Sequence, residues 1–358
     1  MKKAILLVPR IYRGYIEEIL SLATTAGLEI VHIMPLRSVS RIGRGKLEEL
    51  VYLVEELKPD IIIFYGEPKP SEIYKITRET RVELWDRTLL ILEIFRLHAG
   101  SREAIMQIEM ARLQHLLPLI REWIRRKRIG ELPGFMGPGI QDIEKYYRHV
   151  RRRIVKLRKE LRKVRERRRT TREKRRYPHV AIVGYASAGK TSLFNLITGE
   201  SKPVAEEFFT TLSPKHKAAL IDSQKVIFID TVGFIRDIPP DIVEAFNATL
   251  EETVNSDIII FVLDASESKE SIQEKFEAGI NVLAKIGALH HPIIIALNKI
   301  DLLKKKNIEP SQITTLFKSA HKDWGLNIVG LIPISAKTGE NIPLLLETIR
   351  KAIKQNKV

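Results

Sequence analysis

The chain has 358 residues, of which 44% are hydrophobic and 29% charged, a composition that is typical of folded globular domains and excludes an intrinsically disordered chain. It contains no cysteine, which excludes disulfide bonds and thiolate metal sites, and no apolar run approaches the roughly 18 residues that could span a membrane. The net charge is +16, which favours an acidic partner, and we expect a cytoplasmic, monomeric protein without a membrane span.

Residues 1–100 alternate strand-like and helix-like segments. The strand-like runs are "KAILLVPR", "EIVHIMPL", "IIIFYG" and "RVELWDR", and stretches with helical spacing, such as "GYIEEILSLATTAG" and "GKLEELVYLVEELKPD", lie between them. Strands that alternate with short helices predict a small α/β domain with a parallel or mixed sheet. We find no chemistry-bearing motif here, and we interpret Asp86 and His98, two isolated polar residues, as structural.

Residues 101–177 are predicted to form a helical hairpin. Apolar residues recur there at intervals of four and three, which is the spacing of a coiled-coil seam. Because each helix has to bury its apolar stripe, two such seams joined by one loop predict an antiparallel pair, with the Met and Leu positions in its core rather than in a cofactor site. The first seam consists of Met106, Met110, Leu113, Leu117, Ile120 and Ile124, and the second of Ile143, Tyr147, Val150, Ile154, Leu157, Leu161 and Val164.

The tip loop of the hairpin, residues 128–140, holds four glycines and two prolines and is therefore not expected to form regular structure. Phe135 and Met136 lie among them, and a run of basic residues, Arg125 to Arg128, leads into the loop. A plain surface turn is one interpretation. We favour a probe that meets a partner surface, because a plain turn needs neither so many residues nor an exposed Phe and Met.

The second helix of the hairpin continues into a run of positive charge. Residues 151–176 hold sixteen Lys and Arg against three Glu, so this stretch alone carries +13 of the net +16. Such a density favours a polyanion such as RNA as the partner. The alternative is a helix face that meets only solvent.

Residues 178–358 are predicted to form a second α/β domain that binds a nucleotide. The stretch "GYASAGKT", Gly184 to Thr191, matches the phosphate-loop pattern G-x-x-x-x-G-K-[ST], with the strand-like "HVAIVG" before it and the helical "TSLFNLITG" after it. Glycines in such a loop let backbone N–H groups surround phosphate oxygens at a helix N-terminus. Lys190 can then reach the β and γ phosphates, and the Thr191 hydroxyl can hold Mg²⁺.

A second motif follows at the end of another apolar strand. "IFIDTVGF" places Asp230, which can hold Mg²⁺ through water, and Gly233, whose N–H can sense the γ phosphate. Thr210 and Thr211 lie between the first two motifs, where a switch threonine should close over Mg²⁺ and the γ phosphate. The sequence therefore predicts Mg²⁺ as the cofactor of this site.

Two further motifs indicate which base is bound. "IIIALNKID" places Asn298, Lys299 and Asp301 at a strand end, and the Asp301 carboxylate can accept from the adjacent N1–H and 2-amino groups of guanine. Adenine presents an acceptor and no 2-amino group there, so the motif selects GTP over ATP. "PISAKTG" offers residues 335–337, whose backbone can contact the guanine oxygen. Four motifs in this order predict a GTP-binding domain with a mainly parallel sheet and helices on both faces.

Phe234 bears on the rate of hydrolysis. Ras-like GTPases carry a glutamine directly after the D-x-x-G motif, and this glutamine orients the attacking water. The apolar side chain of Phe234 cannot orient a water molecule. We therefore expect a GTPase with a slow intrinsic rate that a partner stimulates.

The nucleotide-binding motifs and several segments of the N-terminal half resemble those of the HflX family of ribosome-associated GTPases, over most of the chain. "GYASAGKTSLFN" is similar to the phosphate loop of the family, "FFTTLSP" to its switch I and "DTVGFIRDIPPDIVEAFNATLEE" to its switch II. In the N-terminal half, "IGRGKLEEL" and "DRTLLILEIFRLHAGSREAIMQIEMARLQHLLPLI" also match. The resemblance implies that Thr211 is the switch threonine and that the hydrophobic residue at Phe234 is a family feature.

The resemblance also implies partners. Members of the family bind the large ribosomal subunit, and several act in splitting or rescuing stalled ribosomes; their glycine-rich tip is expected to reach toward the peptidyl transferase centre. This chain departs from the family pattern at Ser187, where an Asn that can help bind potassium is usual. At the tip, "GPGIQDIE" stands in place of G-P-G-E-T-Q-L-E. We also expect that the small domain that many relatives carry after the GTPase domain is absent.

The sequence thus predicts a P-loop GTPase domain preceded by a small α/β domain and an antiparallel helical hairpin. The expected catalytic residues are Lys190, Thr211 and Gly233, and the expected metal ligands are Thr191, Thr211 and Asp230. The residues expected to contact the nucleotide are Gly184, Tyr185, Ala186, Ser187, Ala188, Gly189, Lys190, Thr191, Ser192, Phe209, Thr210, Thr211, Asp230, Thr231, Val232, Gly233, Asn298, Lys299, Asp301, Ser335, Ala336 and Lys337.

Three interpretations of function remain open at this stage. The first is a switch protein that binds GTP and GDP and associates with the large ribosomal subunit and its rRNA, in ribosome splitting, rescue or biogenesis. The second is a GTP-regulated RNA-binding or RNA-modification factor, against which the absence of cysteine and of a second catalytic motif argues. The third is a stoichiometric RNA-binding protein that needs nucleotide only for stability.

Overall fold

The computed structural model describes residues 1–99, 101–128, 140–172, 177–200, 215–231, 233, 234, 253–305, 313, 317 and 325–355. These residues form two compact units. The first contains residues 1–97 and 105–166, and the second contains residues 98–104 and the described residues from 167 onward. The hairpin thus shares a unit with the N-terminal sheet, and the division of the chain into three domains stays a prediction.

The first unit is built on a four-stranded parallel sheet with the strand order β2-β1-β3-β4. The two central strands are almost entirely buried, since a parallel strand covered on both faces reads as a continuous apolar run. The strands are β1 (Lys2–Pro9), β2 (Leu28–Leu36), β3 (Ile61–Phe64) and β4 (Glu83–Asp86). A 3-10 helix (Arg10–Tyr15) and four α-helices connect and follow them: α1 (Ile16–Thr25), α2 (Arg44–Leu57), α3 (Pro70–Thr80) and α4 (Arg87–His98).

The hairpin consists of α5 (Arg102–Arg128), which continues through Pro118, and α6 (Ile140–Arg172). Its apolar residues form one cluster, which contains all thirteen residues of the two predicted seams. Arg153 of α6 binds Glu109 of α5 at 2.7 Å, and nearer the tip Arg128 of α5 binds Glu144 of α6 at 2.5 Å. These contacts confirm that the helices run antiparallel. Residues 129–139 of the tip loop lie outside the described residues.

The second unit contains a six-stranded sheet with the order β10-β9-β8-β5-β7-β6, in which every neighbouring pair is parallel except β6 with β7. This arrangement confirms the predicted fold class. The strands are β5 (His179–Gly184), β6 (Lys215–Ile221), β7 (Gln224–Asp230), β8 (Ile258–Asp264), β9 (Ile293–Asn298) and β10 (Ile328–Pro333). The helices are α7 (Lys190–Thr198), α8 (Lys269–Lys285), α9 (Ile300–Lys305) and α10 (Ile342–Gln355). Across the described ranges of the chain, none of the helices combines the length and the apolar character that a membrane crossing requires.

Candidate functional site

Four parallel strands of the second unit end at one edge of its sheet and bring polar residues together there. β5 ends at Gly184, β7 at Asp230, β8 at Asp264 and β9 at Asn298. In open α/β sheets, ligands bind outside the carboxyl ends of the strands. The order of the strands therefore places the predicted motifs around one crevice, although they are far apart in sequence.

The phosphate loop leads from β5 into α7 and needs glycine at both of its ends. Gly184 has a φ of 146°, and a Cβ there would meet the carbonyl oxygen of Val262 on β8. Gly189 has a φ of 92°, and a Cβ there would meet the side-chain amide of Asn298. Between them Ser187 is exposed and has a φ of 61°, a left-handed conformation that costs a residue with a Cβ roughly 1–2 kcal/mol.

Lys190 begins α7 and is buried. Its Nζ donates a hydrogen bond to the carbonyl oxygen of Tyr185 at 2.6 Å, so the side chain folds back across the loop. Burial lowers the pKa of Lys190 to about 8, although the carboxylate of Asp230 acts in the opposite direction. The loop therefore encloses a cation that an anionic ligand would stabilise.

Thr191 and Asp230 offer oxygen ligands side by side. Thr191 Oγ1 donates to Asp230 Oδ2 at 3.0 Å, and Asp230 is completely buried at the end of β7. Magnesium prefers such hard oxygens and usually takes one or two protein ligands together with waters and phosphate oxygens. These two residues fit that ion. Within the described part of the chain no group of three His, Cys, Asp or Glu could hold a metal without such additional ligands.

Gly233 lies directly against the phosphate loop. A Cβ at this position would come within 2.9 Å of the backbone of Ala186 and of Lys190 Nζ, so a larger residue would have to displace the loop. The neighbouring Thr231 is buried, and its hydroxyl donates to the carbonyl oxygen of Ile182 on β5 at 2.7 Å. The segment after β7 is thus bonded to β5 through Thr231 and lies against the phosphate loop at Gly233.

Phe234 pairs with the phosphate loop through its backbone. Its N–H donates to the carbonyl oxygen of Gly184, and its carbonyl oxygen accepts from the N–H of Ala186, both at 2.9 Å. The ring is 1% exposed and packs against Tyr185 and Phe261, with centroids 6.4 and 6.1 Å away. The side chain is therefore part of the core.

Asn298 connects two loops of the site. Its Nδ2 donates to the carbonyl oxygen of Ala188 in the phosphate loop at 2.8 Å, and its Oδ1 accepts from the N–H of Ala336 at 2.9 Å. The residue is 2% exposed. Because both halves of its amide are engaged, Asn298 fixes the phosphate loop relative to the loop that follows β10.

Asp301 and Ser335 form a second link at the same edge. Ser335 is fully buried, and its hydroxyl donates to Asp301 Oδ1 at 2.7 Å and accepts from the N–H of Thr338 at 3.2 Å. The neighbouring Lys337 is exposed. The carboxylate predicted to select guanine is therefore held by a side chain of the fourth motif.

Lys299 is positioned by a residue that the motifs do not include. It has a φ of 68°, and its Nζ lies 2.6 Å from Asp264 Oδ2. The other oxygen of Asp264 accepts from the N–H and the hydroxyl of Ser266, at 2.9 and 2.6 Å. Sequence reasoning missed Asp264, although it follows the apolar run "IIIFVL" at a strand end just as Asp230 follows "KVIFI".

The structure brings together most of the predicted site residues. They lie at the same edge of the sheet, where hydrogen bonds and close approaches connect the four motifs, and Ser192 lies in the first turn of α7. These residues are the phosphate loop, Asp230, Thr231, Gly233, Asn298, Lys299, Asp301 and residues 335–337. Phe209, Thr210, Thr211 and Val232 lie outside the described residues.

Three protein families match successive parts of the chain. The family described as "GTP-binding GTPase N-terminal" matches residues 13–96, "GTP-binding GTPase Middle Region" matches residues 98–175, and "50S ribosome-binding GTPase" matches residues 179–299. The last range includes the phosphate loop and ends at Lys299.

Similar proteins match along nearly the whole chain. GTPase HflX of Hyperthermus butylicus is 48% identical over 355 residues, which cover 96% of this chain and 94% of the relative. GTPase HflX of Saccharolobus solfataricus is 37% identical and covers 98% of both chains, and that of Escherichia coli is 33% identical over 94% of this chain and 79% of its own.

Solved structures agree with these matches. The crystal structure of SsGBP with GDP is 33% identical, covers all of both chains and superposes with a TM-score of 0.60. A GTP-binding protein from Sulfolobus solfataricus in complex with GDP is 34% identical, covers 99% of both chains and superposes with a TM-score of 0.56. The chain belongs to the HflX family of GTPases.

Proposed function

We propose that this protein is a GTP-hydrolysing switch that associates with the large ribosomal subunit through its basic helical hairpin and acts there in ribosome splitting, rescue or biogenesis. The observation that carries the nucleotide half of the proposal is the crevice at the ends of β5, β7 and β9. The basic hairpin carries the other half. We further propose that the protein is a cytoplasmic monomer.

The phosphates of the nucleotide would lie in the loop from Gly184 to Thr191. Its backbone N–H groups and the helix terminus behind them favour anions, and Lys190 would place its ammonium group on the β and γ phosphates. Thr191 and Asp230 would hold Mg²⁺, which supplies positive charge to the phosphate oxygens. Asp230 would act through water, since it already accepts from Thr191 Oγ1.

The base would lie between the loops that follow β9 and β10. Asp301 would accept from the two adjacent donors of guanine, and the backbone of residues 335–337 would contact the guanine oxygen. Asn298 would hold the phosphate loop and the loop that follows β10 in place rather than select the base, because its amide is engaged with Ala188 and Ala336. This arrangement supports selection of GTP over ATP.

Hydrolysis is expected to be slow without a partner. Thr211 and the N–H of Gly233 would contact the γ phosphate, and Phe209 and Thr210 would flank that contact. Phe234 cannot orient the attacking water, because its ring is buried against Tyr185 and Phe261. Ribosome binding would then raise the rate by supplying the missing polar group or by ordering the switch segments.

The charge of the hairpin and the family match of the second unit both support the proposal of a ribosomal partner. The second helix of the hairpin contains most of the stretch that carries +13 of the net +16, and the family that matches residues 179–299 is described as "50S ribosome-binding GTPase". The tip loop, residues 128–140, would meet the partner surface at the far end of the hairpin. Such an interaction depends strongly on salt, since each Lys or Arg on a phosphate releases counterions.

Co-sedimentation with ribosomal subunits tests the proposal. The protein would be mixed with purified large and small subunits in GDP, in GTP and in a non-hydrolysable GTP analogue, and the same fractions would report GTP hydrolysis. We expect binding to the large subunit in the analogue, weaker binding in GDP, and stimulated hydrolysis in GTP.

The variant Lys190→Ala provides the control, because it removes the phosphate contact and leaves the hairpin intact. It should lose the difference between GDP and the analogue. Equal binding of the unmodified protein in all three nucleotides would contradict the switch and leave an RNA-binding protein that needs nucleotide only for stability. Equal hydrolysis with and without subunits would contradict partner stimulation.

A further inference from the structure

The positive charge of α6 is not spread evenly around the helix. Between Lys145 and Lys163 the sequence has ten Lys and Arg against one acidic residue, Glu160. Five of the ten line one open groove of about 520 Å³ on the helix surface, together with Val155. We call these five residues the outer stripe: Arg148, Arg151, Arg152, Lys156 and Lys159.

The outer stripe faces away from α5. At about 100° per residue, Arg148, Arg152 and Lys159 project from the side of α6 opposite the buried seam residues Val150 and Leu157. All five cations of the stripe are exposed, and Val155 among them is 65% exposed. The seam thus uses one side of the helix for packing and leaves the charged side open.

Ion pairing separates the outer stripe from Arg153 and Arg162 of the same helix. Arg153 binds Glu109 of α5, and Arg162 binds Glu166 one turn further along. In the described part of the chain, no carboxylate lies within ion-pair distance of any outer-stripe cation. Five adjacent, mutually repelling cations are the arrangement that an extended anion would stabilise.

The chemistry of the stripe favours a phosphate backbone over unpaired bases. Proteins that bind single strands offer aromatic side chains on which bases stack, and none of the described residues that line the groove of the outer stripe is aromatic. Tyr146 lines the neighbouring groove together with Arg148 and Arg152 of the stripe, and one aromatic ring does not provide the series of stacking surfaces that successive bases use. A straight helix with cations about one turn apart, over about 16 Å from Arg148 to Lys159, suits the regular phosphates of a rigid duplex.

We propose that the outer stripe is a docking surface for double-stranded RNA, which it binds through the sugar-phosphate backbone without reading sequence. The proposal rests on the proposed ribosomal function, in which this duplex would be a helix of the rRNA. It assigns the contact to one side of one helix rather than to the basic segment as a whole.

The test compares binding of a fluorescent RNA hairpin duplex and of an unstructured strand of the same length to the full-length protein, over a range of salt concentrations. The variant Arg148→Gln, Arg152→Gln, Lys159→Gln removes three cations of the stripe. We expect the unmodified protein to prefer the duplex, and the variant to lose at least about tenfold in duplex affinity near 0.1 M salt. Its plot of log K against log salt should be less steep by about 2 to 3, since each phosphate contact contributes about 0.9.

A matched control removes the same charge elsewhere. The variant Lys269→Gln, Lys285→Gln, Lys354→Gln replaces three exposed lysines of the second unit and should bind duplex as the unmodified protein does. A charge-retaining variant, Arg148→Lys with Arg152→Lys, should keep the steep salt dependence. Circular dichroism would show that all variants keep their helices, as expected for exposed positions.

The outcomes separate this inference from the proposed function. An equal loss of affinity in the stripe variant and in the control, or a preference for the single strand, would overturn the duplex site. If the stripe variant loses duplex binding but still binds large subunits as the unmodified protein does, the outer stripe is not the contact with the ribosome. Stripe-dependent duplex binding by a protein that does not associate with large subunits would support the site and refute the proposed ribosomal function instead.

Discussion

Lys190 is buried at the start of α7, beside the carbonyl oxygen of Tyr185 and near the carboxylate of Asp230. Burial lowers its pKa to about 8 from the ordinary 10.5. Bound phosphates would raise this pKa again, because they favour the ammonium form. Nucleotide binding near pH 8 should therefore take up about half a proton at this residue, and the affinity should fall as the pH rises above about 8.

Isothermal titration of MgGDP in buffers with different ionisation enthalpies measures this proton uptake. The variant Lys190→Gln cannot take up the proton and should show none. A proton uptake that stays near zero at about pH 8 in the unmodified protein would contradict the lowered pKa.

The lowered pKa of Lys190 should also make the free energy of unfolding of the nucleotide-free protein rise as the pH rises from about 8 toward 10.5. In that window the unfolded chain holds a proton at Lys190 that the folded chain has lost.

At the residue scale, sequence motifs predict the residues that a ligand would contact. They do not as readily predict the residues that hold those side chains in place. Lys190, Asp230 and Asn298 carry recognisable spacing. Asp264 does not, and its role appears only when β8 and β9 are adjacent and Lys299 reaches it at 2.6 Å. The sequence shows that Phe234 directly follows the D-x-x-G motif, and the consequence for the rate of hydrolysis stays a prediction. The backbone pairing of Phe234 with the phosphate loop required the three-dimensional structure.

At the element scale, periodicity predicted the hairpin and missed α4. The hairpin helices have one apolar side each, so intervals of four and three reveal them. α4 is buried on most sides, with Leu90, Ile91, Leu92 and Ile94 all 1% exposed or less. When most sides of a helix are buried, apolar residues follow one another without a polar one between them, and the sequence then shows little helical alternation.

The seam of the hairpin makes a quantitative prediction. Leu157 is completely buried in it, and Leu157→Ala should lower the free energy of unfolding by about 2–5 kcal/mol through lost burial and the cavity left behind. Val155→Ala, two residues earlier on the same helix and 65% exposed, should change it by less than about 0.5 kcal/mol.

Guanidinium denaturation followed by helical circular dichroism compares the two variants. A lower midpoint for Leu157→Ala with an unchanged slope would match the expectation. Similar midpoints for both variants would mean that the seam contributes little to stability and that the hairpin depends on its other contacts.

At the scale of the whole molecule, the crevice proposed to bind the nucleotide and the outer stripe belong to different compact units. The crevice is built from residues after His179, and the outer stripe lies on α6 in the unit of the N-terminal sheet. A switch requires that the exchange of GDP for GTP changes how strongly the hairpin binds its partner. We expect this coupling because one helix, α6, carries the stripe and precedes β5, the strand that leads into the phosphate loop.

Thermodynamic linkage makes this coupling measurable from either end. If the GTP analogue strengthens large-subunit binding relative to GDP by some factor, the subunit must strengthen binding of the analogue relative to GDP by the same factor, which is typically about 5- to 150-fold. Fluorescent analogue and fluorescent GDP would be titrated with and without saturating large subunits, and the ratio compared with that from sedimentation.

The stripe variant extends this test. If the outer stripe is the coupled contact, Arg148→Gln, Arg152→Gln, Lys159→Gln should keep its nucleotide affinities in the absence of subunits and show a smaller change when subunits are added. Nucleotide affinities that subunits leave unchanged, in a protein that binds them, would mean that the two units act independently. Ribosome binding would then hold the GTPase in place without controlling its nucleotide state.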